Sequence, residues 1–230
     1  MAGSMPQIRA GVWYDTRDVR VSWHKTAILA RTMTTHPYHE VLWLSCAAKR
    51  CCSVRTVRPT GGDIWRIATQ LQVPPESFVR TIPAAPAAHD GVLFAPDGQP
   101  MHLALARRAV KGRQAACVFL MQIREDVARC GLGDLRPLPC QAFPGSEAGG
   151  VLAVSAHHGC TCRAWSLADL DRPVVTALLE REAAERDLDR RLIHEWNRQV
   201  AADPGAAHSL ADFCGYLMRA YADHTAGAAP

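Results

Sequence analysis

The chain has 230 residues, 48% of them apolar and 21% charged, with a net charge of +4. That balance excludes a disordered polymer, and no apolar run approaches the ~20 residues that a membrane-spanning helix needs. Charge is unevenly spread: residues 1–60 carry nine Lys/Arg against three Asp/Glu, 61–165 carry ten against eight, and 166–230 carry seven against eleven. Such asymmetry suits either a plain solvated surface or attraction between a basic start and an acidic end or partner. No basic run with interleaved aromatics occurs, which disfavours nucleic acid as a partner.

The opening MAGSM reads as an expression scar over residues 1–5, with Met5 as the natural start. No apolar signal-peptide core follows, so the expected compartment is the cytoplasm, where thiols stay reduced. From there the expected organisation is a cysteine-rich domain over residues 6–165 and a helical extension over 166–230.

Residues 6–45 predict short strands at Ile8–Tyr14, Val19–Trp23 and Val41–Leu44, with a short helix around Ala27–Met33. His24, His36 and His39 also fall here and carry no assigned role. Residues 46–60 form a cysteine-rich loop ended by Gly61-Gly62. Asp63–Leu71 follows with helical periodicity, Ile64, Ile67, Ala68 and Leu71 sharing one face. Asp63 and Arg66, one turn apart, read first as a capping or ion-pair feature and second as substrate contacts. Pro74-Pro75 opens another helix with Phe78 and Val79 inward. The Pro-, Ala- and Gly-rich stretch 83–100 is a loop around a strand at Val92–Ala95.

Cys117–Ile123 is apolar and suits a buried strand. Arg136–Pro144 holds three prolines and cannot be a long helix. Gly145–Gly150 reads as a turn and Val151–Ala156 as a strand that delivers His157, His158, Cys160 and Cys162. Ser166 with Asp169 makes a capping box, and Pro173 opens a long helix to about Val200, with Leu178, Leu188, Leu192 and Trp196 on its apolar face. Asp203-Pro204-Gly205 breaks it, and Ser209 with Asp212 caps a last helix to about His224. The fold class is therefore α+β: a small cysteine-rich, metal-centred domain of short strands and helices, plus a C-terminal helical hairpin.

Eight of the nine cysteines carry the chemistry: Cys46, Cys51, Cys52, Cys117, Cys130, Cys140, Cys160 and Cys162. Thiolates bind zinc or iron–sulfur clusters because sulfur is soft and the metal displaces its proton, and a site needs about four of them. These eight come from separated stretches, so the fold must assemble any site they form. Cys214, near Phe213 and Leu217 on an apolar helix face, reads as a buried hydrophobe instead. Two adjacent thiols, Cys51 and Cys52, cannot both face a core from one regular element. Activation of one thiol by a histidine as a nucleophile is the lesser alternative. Pro137 and Pro139 stiffen the presentation of Cys140. Arg136 either donates hydrogen bonds to thiolates or cluster sulfides, as a cofactor-binding residue, or is a surface arginine paired with Asp134.

In sequence order, Cys46-x4-Cys51-Cys52, Asp63-Ile-Trp-Arg-Ile-Ala68, Pro75-Glu-Ser-Phe78, Cys117-Val-Phe-Leu120, Cys130 and Arg136-Pro-x-x-Cys140-x-x-Phe143-Pro144 resemble the YkgJ-type CxxCxxCC family, a zinc- or iron-chelating cysteine-cluster family. Where that family places one further cysteine, about three residues before Cys46, this chain has Trp43. The resemblance implies metal binding. A related cysteine pattern in flagellin lysine methylases accompanies an iron–sulfur cluster, which implies a modifying enzyme or its subunit. Gly131-x-Gly133 lacks the strand and helix context of a nucleotide-type loop and reads as a turn.

Three functions are thus carried forward. The first is a protein with an iron–sulfur centre, 4Fe-4S in type, or a zinc centre, acting as or with a modifying enzyme, with His157 and His158 as acid–base candidates. The second is a non-catalytic, zinc-stabilised protein-interaction module, and the third a metal storage or delivery protein. Substrate and reaction are not legible from the residues.

Overall fold

The computed structural model describes residues 37–46, 49, 51–85, 90–110, 113–124, 126–155, 160 and 163–227. The expected strands before residue 24, the helix around Ala27–Met33, and His24, His36, His157, His158 and Cys162 lie outside the described residues. All described residues fall in one compact unit, residues 36–230.

Six helices and eight strands are described, joined by three short 3₁₀ turns: α1 (Tyr38–Ser45), α2 (Cys51–Val54), α3 (Gly61–Leu71), β1 (Val79–Pro83), β2 (Met101–Leu105), β3 (Arg107–Val110), β4 (Arg113–Cys117), β5 (Leu120–Arg124), β6 (Val127–Cys130), α4 (Leu138–Gln141), β7 (Gly145–Ala148), β8 (Val151–Val154), α5 (Arg172–Ala202) and α6 (Leu210–Gly227). The strands pair as four separate antiparallel hairpins, each between sequence neighbours. The chain is therefore mixed α+β with a C-terminal pair of helices.

The principal core lies between α3, α5, α6 and the first hairpin. Ile64, Ile67 and Ala68 of α3 meet Phe78, Val79, Leu105, Trp196, Val200, Phe213, Leu217 and Tyr221. Cys214 is buried among them at 1% exposure, as expected of a small hydrophobe. Leu71, expected on the same face, is 41% exposed because α3 ends there. A capping box starts α3: the Thr60 hydroxyl accepts from Asp63 N at 3.0 Å, and the Asp63 carboxylate accepts from Thr60 N at 3.0 Å. Arg66 pairs with Asp63, so the capping and ion-pair expectation for these residues holds.

Gly61 and Gly62 start the helix rather than only ending the loop. A Cβ on Gly61 would lie 2.4 Å from Asp189 Oδ1 and 2.6 Å from the Tyr221 ring, and one on Gly62 would lie 2.5 Å from Glu185 Oε2, so the two glycines let these groups approach the backbone. Two α5 carboxylates thereby reach the N-terminus of α3, where unpaired N–H groups favour negative charge. Gly61 N donates to both Asp189 oxygens at 3.0 Å, and Tyr221 Oη donates to the same carboxylate at 2.8 Å.

Four expectations are corrected. Val41–Leu44 is helical, within α1, because Pro37 sets the start and Glu40 occupies the first turn. The helix expected after Pro74 is a single 3₁₀ turn, Pro75–Ser77, after which the chain enters β1; Phe78 and Val79 are buried all the same. Cys117–Ile123 is not one buried strand. It breaks at Val118–Phe119 as the chain passes from hairpin β3–β4 to hairpin β5–β6, leaving Met121 and Ile123 47% and 57% exposed. Gly145–Ala148 is strand β7, and the turn is confined to Gly149-Gly150, both with positive φ. Arg136–Pro144 holds only the four-residue α4, as its prolines require.

Candidate metal centre

The cysteine side of the molecule begins at α1. Beyond its last turn, Lys49 takes a left-handed conformation (φ 46°) and is fully buried. Its ammonium donates to the carbonyl oxygens of Trp43 at 2.6 Å, Leu44 at 3.1 Å and Cys46, and lies 4.5 Å from the centroid of the Trp43 ring. The carbonyl end of a helix attracts a cation, so Lys49 folds the chain back there and leads directly into α2. Burial pushes the Lys49 ammonium below its ordinary range, and the nearby thiols of Cys46, Cys51 and Cys52 oppose that shift.

Cys51 and Cys52 open α2. Arg107 of β3 fixes the far end of this helix to β4, donating to Ser53 O and to Ala115 O, the latter at 3.1 Å from Nε. Contrary to the expectation for neighbours on one regular element, both adjacent thiols pack inward, Cys51 and Cys52 on the Trp43–Phe143 cluster and Cys52 also on the Ala116–Leu120–Ala128 cluster. Cys51 is lowered by the hydrogen bond from Cys52, with burial opposing and the Trp43 side chain and the Arg55 charge assisting. Cys52 is raised by the same hydrogen bond, by burial, and by the charges of Cys51, Cys140 and Cys117.

Cys117 and Cys130 occupy matched positions at the ends of β4 and β6. Each is followed by a tight turn, and the Phe119 and Leu120 N–H groups at Cys117 and the Leu132 and Gly133 N–H groups at Cys130 favour the charged thiol against burial. Gly133 reaches this position with φ +53°, the left-handed region that glycine enters without strain. The two turns are tied together, since Gly131 N donates to Phe119 O at 2.8 Å and Leu120 pairs with Cys130. Burial raises both thiols and the N–H donors oppose it.

Cys140 comes from α4. The N-terminus of α4 is held by the same buried Asp63 that caps α3: Leu138 N donates to Asp63 Oδ1 at 3.0 Å and Oδ2 at 3.2 Å. Burial pushes the Asp63 carboxyl up to about 6, against the N–H donors and Arg66 that favour its charge. One carboxylate thus sets the placement of Cys140 relative to the main core. Burial also raises the Cys140 thiol, with Arg55 and Arg136 opposing and Cys117 and Cys130 reinforcing.

Six thiols from four segments, Cys46, Cys51, Cys52, Cys117, Cys130 and Cys140, therefore act on one another or on Lys49 across one interior region. Cys160 packs at its edge beside Trp43, Cys51, Phe143 and Trp165. No disulfide links the described cysteines to one another. Among the described residues, no group of three or more His, Cys, Asp or Glu side chains is arranged to hold a metal ion as it stands. The donor chemistry fits a soft metal, while the thiols are gathered without being drawn onto a common point.

Arg136 is buried at 6% exposure and pairs with Glu40, not with Asp134. Its guanidinium lies 4.4 Å from the Trp43 ring centroid and opposes the burial that raises Cys130 and Cys140. Trp43 is thus flanked by two cations. His39, also in α1, is turned away: its Nε2 meets Gln141 O at 3.1 Å, and burial keeps the ring below its ordinary range. Sequence reasoning missed Lys49 and Arg55 as parts of this region; Lys49, three residues after Cys46 and two before Cys51, was the available signal. Comparison with family models, curated proteins and solved structures finds no match for this chain.

Proposed function

We propose that the protein carries a cysteine-ligated metal centre, an iron–sulfur cluster in preference to zinc, and works as or with a modifying enzyme. The observation that carries this reading is the gathering of thiols from separate segments: Cys51, Cys52, Cys130 and Cys160 pack on one small apolar cluster and Cys52 and Cys117 on another. Buried thiols so gathered are soft donors, and four suffice for a centre.

Cys51, Cys117, Cys130 and Cys140 would hold the metal, with Cys46, Cys52, Cys160 and Cys162 as the additional donors. Such a cluster supplies one-electron chemistry or an open iron position for a substrate. The chain's own part is electrostatic. Burial raises the Cys117, Cys130 and Cys140 thiols, so a metal would have to displace their protons on binding. Lys49, Arg55 and Arg136 offset part of the negative charge that several thiolates bring. The resemblance of the motif order to the YkgJ-type family supports the same reading.

A zinc-stabilised interaction module is the second reading. It is favoured by the polar staples of this side, which suit a closed structural site. Metal and acid-labile sulfide analysis of protein purified without oxygen separates the two. Iron with sulfide supports the first, zinc alone supports the second, and neither metal overturns both.

A further inference from the structure

The two sides of the molecule treat their arginines differently. On α5, Arg181, Arg186, Arg190 and Arg198 each pair with a carboxylate of the same helix. On the cysteine side, residues 49–58 and 105–117, which supply α2 and hairpin β3–β4, carry four Lys/Arg each and no Asp/Glu. Among the described residues, Arg55, Arg107 and Arg108 make no ion pair. Arg55 rests on the Phe143 ring, and the other two donate to carbonyl oxygens. Such contacts hold a guanidinium in place and leave its charge standing.

An open groove of about 440 Å³ lies in this region, lined by Ser53 and Val54 of α2, Arg80 of β1, Arg107 of β3 and Ala115 of β4. Arg107 is tied at several points: Nε donates to Ala115 O at 3.1 Å, Nη1 to Arg55 O at 3.4 Å, and Nη2 to Ser53 O. It therefore sets a fixed positive charge in the wall. Arg80 is exposed, and none of its N–H groups meets an acceptor among the described residues. Its unused fork matches a carboxylate. Val54, 43% exposed, adds an apolar contact.

We infer that this groove docks an acidic, extended segment of a partner protein, with one carboxylate on Arg80, another beside Arg107 and an aliphatic side chain on Val54. Recognition of acidic segments by arginine clusters is a recurring mode. No aromatic ring lines the groove to stack a base, which favours carboxylates over a nucleic acid. The segment lies against α2, the element that carries Cys51 and Cys52, and the inference stands whether or not those thiols hold a metal.

Fluorescence anisotropy of a labelled peptide of alternating Glu and Val, titrated with the full chain at low salt, tests this. The peptide is expected to bind at least tenfold more tightly than its Gln-Val counterpart, and more tightly than a single-stranded oligothymidylate of equal charge. Arg80→Gln, at an exposed position that holds no other described group, is expected to weaken the Glu peptide at least fivefold with an unchanged thermal melt. Arg124→Gln removes the same charge from an exposed position outside the groove lining and is expected to leave the affinity within about twofold. No binding, equal binding of the two peptides, tighter binding of the oligonucleotide, binding of phosphatidylserine vesicles in place of the peptide, or equal losses in Arg80→Gln and Arg124→Gln would each overturn the assignment.

Discussion

The helical side of the molecule and its cysteine side are held together by different means. On the helical side, α3, α5, α6 and the first hairpin bury Ile64, Ile67, Phe78, Trp196, Val200, Phe213 and Leu217 against one another, with caps at the helix starts. On the cysteine side, the buried residues include Lys49, Arg136 and Cys51, the other described thiols there are half-buried, and the chain is closed by cations on carbonyl oxygens and on the Trp43 ring. The apolar clusters there are small, three buried residues each. A core of the first kind draws on apolar burial, whereas on the proposed reading the second kind gains its remaining stabilisation from what the thiols bind.

The largest expected contrast is between cysteines of the two sides. Cys117→Ser with Cys130→Ser is expected to abolish metal retention, measured as metal per chain after gel filtration. Cys214→Ala is expected to leave metal content unchanged and cost on the order of 1–2 kcal/mol of stability through the small cavity. Loss of metal from Cys214→Ala, or full retention in the double variant, would erase the distinction.

Next in size is the helical core itself. Trp196 is 5% exposed, packs edge-on to Phe213 at 5.3 Å, and donates from Nε1 to Leu93 O at 2.8 Å. Trp196→Ala is expected to cost about 3–5 kcal/mol in chemical denaturation, with hydrogen exchange rising first in α5 and α6.

Asp63 joins the two sides, and its ionisation gives a pH test. Its folded-state carboxyl sits at about 6 against an ordinary 3.8. A raised carboxyl favours the neutral form in the fold, so its contribution is fully present below about 3.8 and is lost as pH rises through about 6. Relative to Asp63→Asn, which does not titrate, the native chain is expected to lose up to about 3 kcal/mol between those values, at ~1.4 kcal/mol per pK unit. A flat difference between the two proteins across that window would contradict the burial argument. The smallest effect belongs to the solvated face of α5: the Arg198–Glu195 pair is 64% and 43% exposed, and Arg198→Ala is expected to change stability by less than about 0.5 kcal/mol.

The helical side was the legible one. Ser166 with Asp169, Pro173, the Asp203-Pro204-Gly205 break and Ser209 with Asp212 each mark a boundary by local chemistry, and α5 and α6 fall where those signals lie. The cysteine side was legible in its residue types and not in its shape. Cys117–Ile123 reads as one strand because an apolar run does not reveal that its two ends pair with different partners. Val41–Leu44 reads as a strand because its residue preferences are weaker than the start imposed by Pro37. Arg136 offered two partners, Asp134 nearby in sequence and the thiols, and the fold supplied a third, Glu40, from 96 residues away. No local signal marked the cluster in which Arg58 Nη2 donates to Asp90 Oδ2 at 2.7 Å and to His102 Nδ1 at 2.9 Å, since its members stand 32 and 44 residues from Arg58 in sequence.

The measurement that bears most directly on this account is metal and acid-labile sulfide content, with a visible spectrum, for the full chain purified without oxygen. The account predicts iron and sulfide in comparable amounts and a brown protein with broad absorption near ~400 nm from thiolate-bound clusters. A colourless protein with neither iron nor zinc, whose cysteine side exchanges hydrogens as slowly as its helical side, would contradict it.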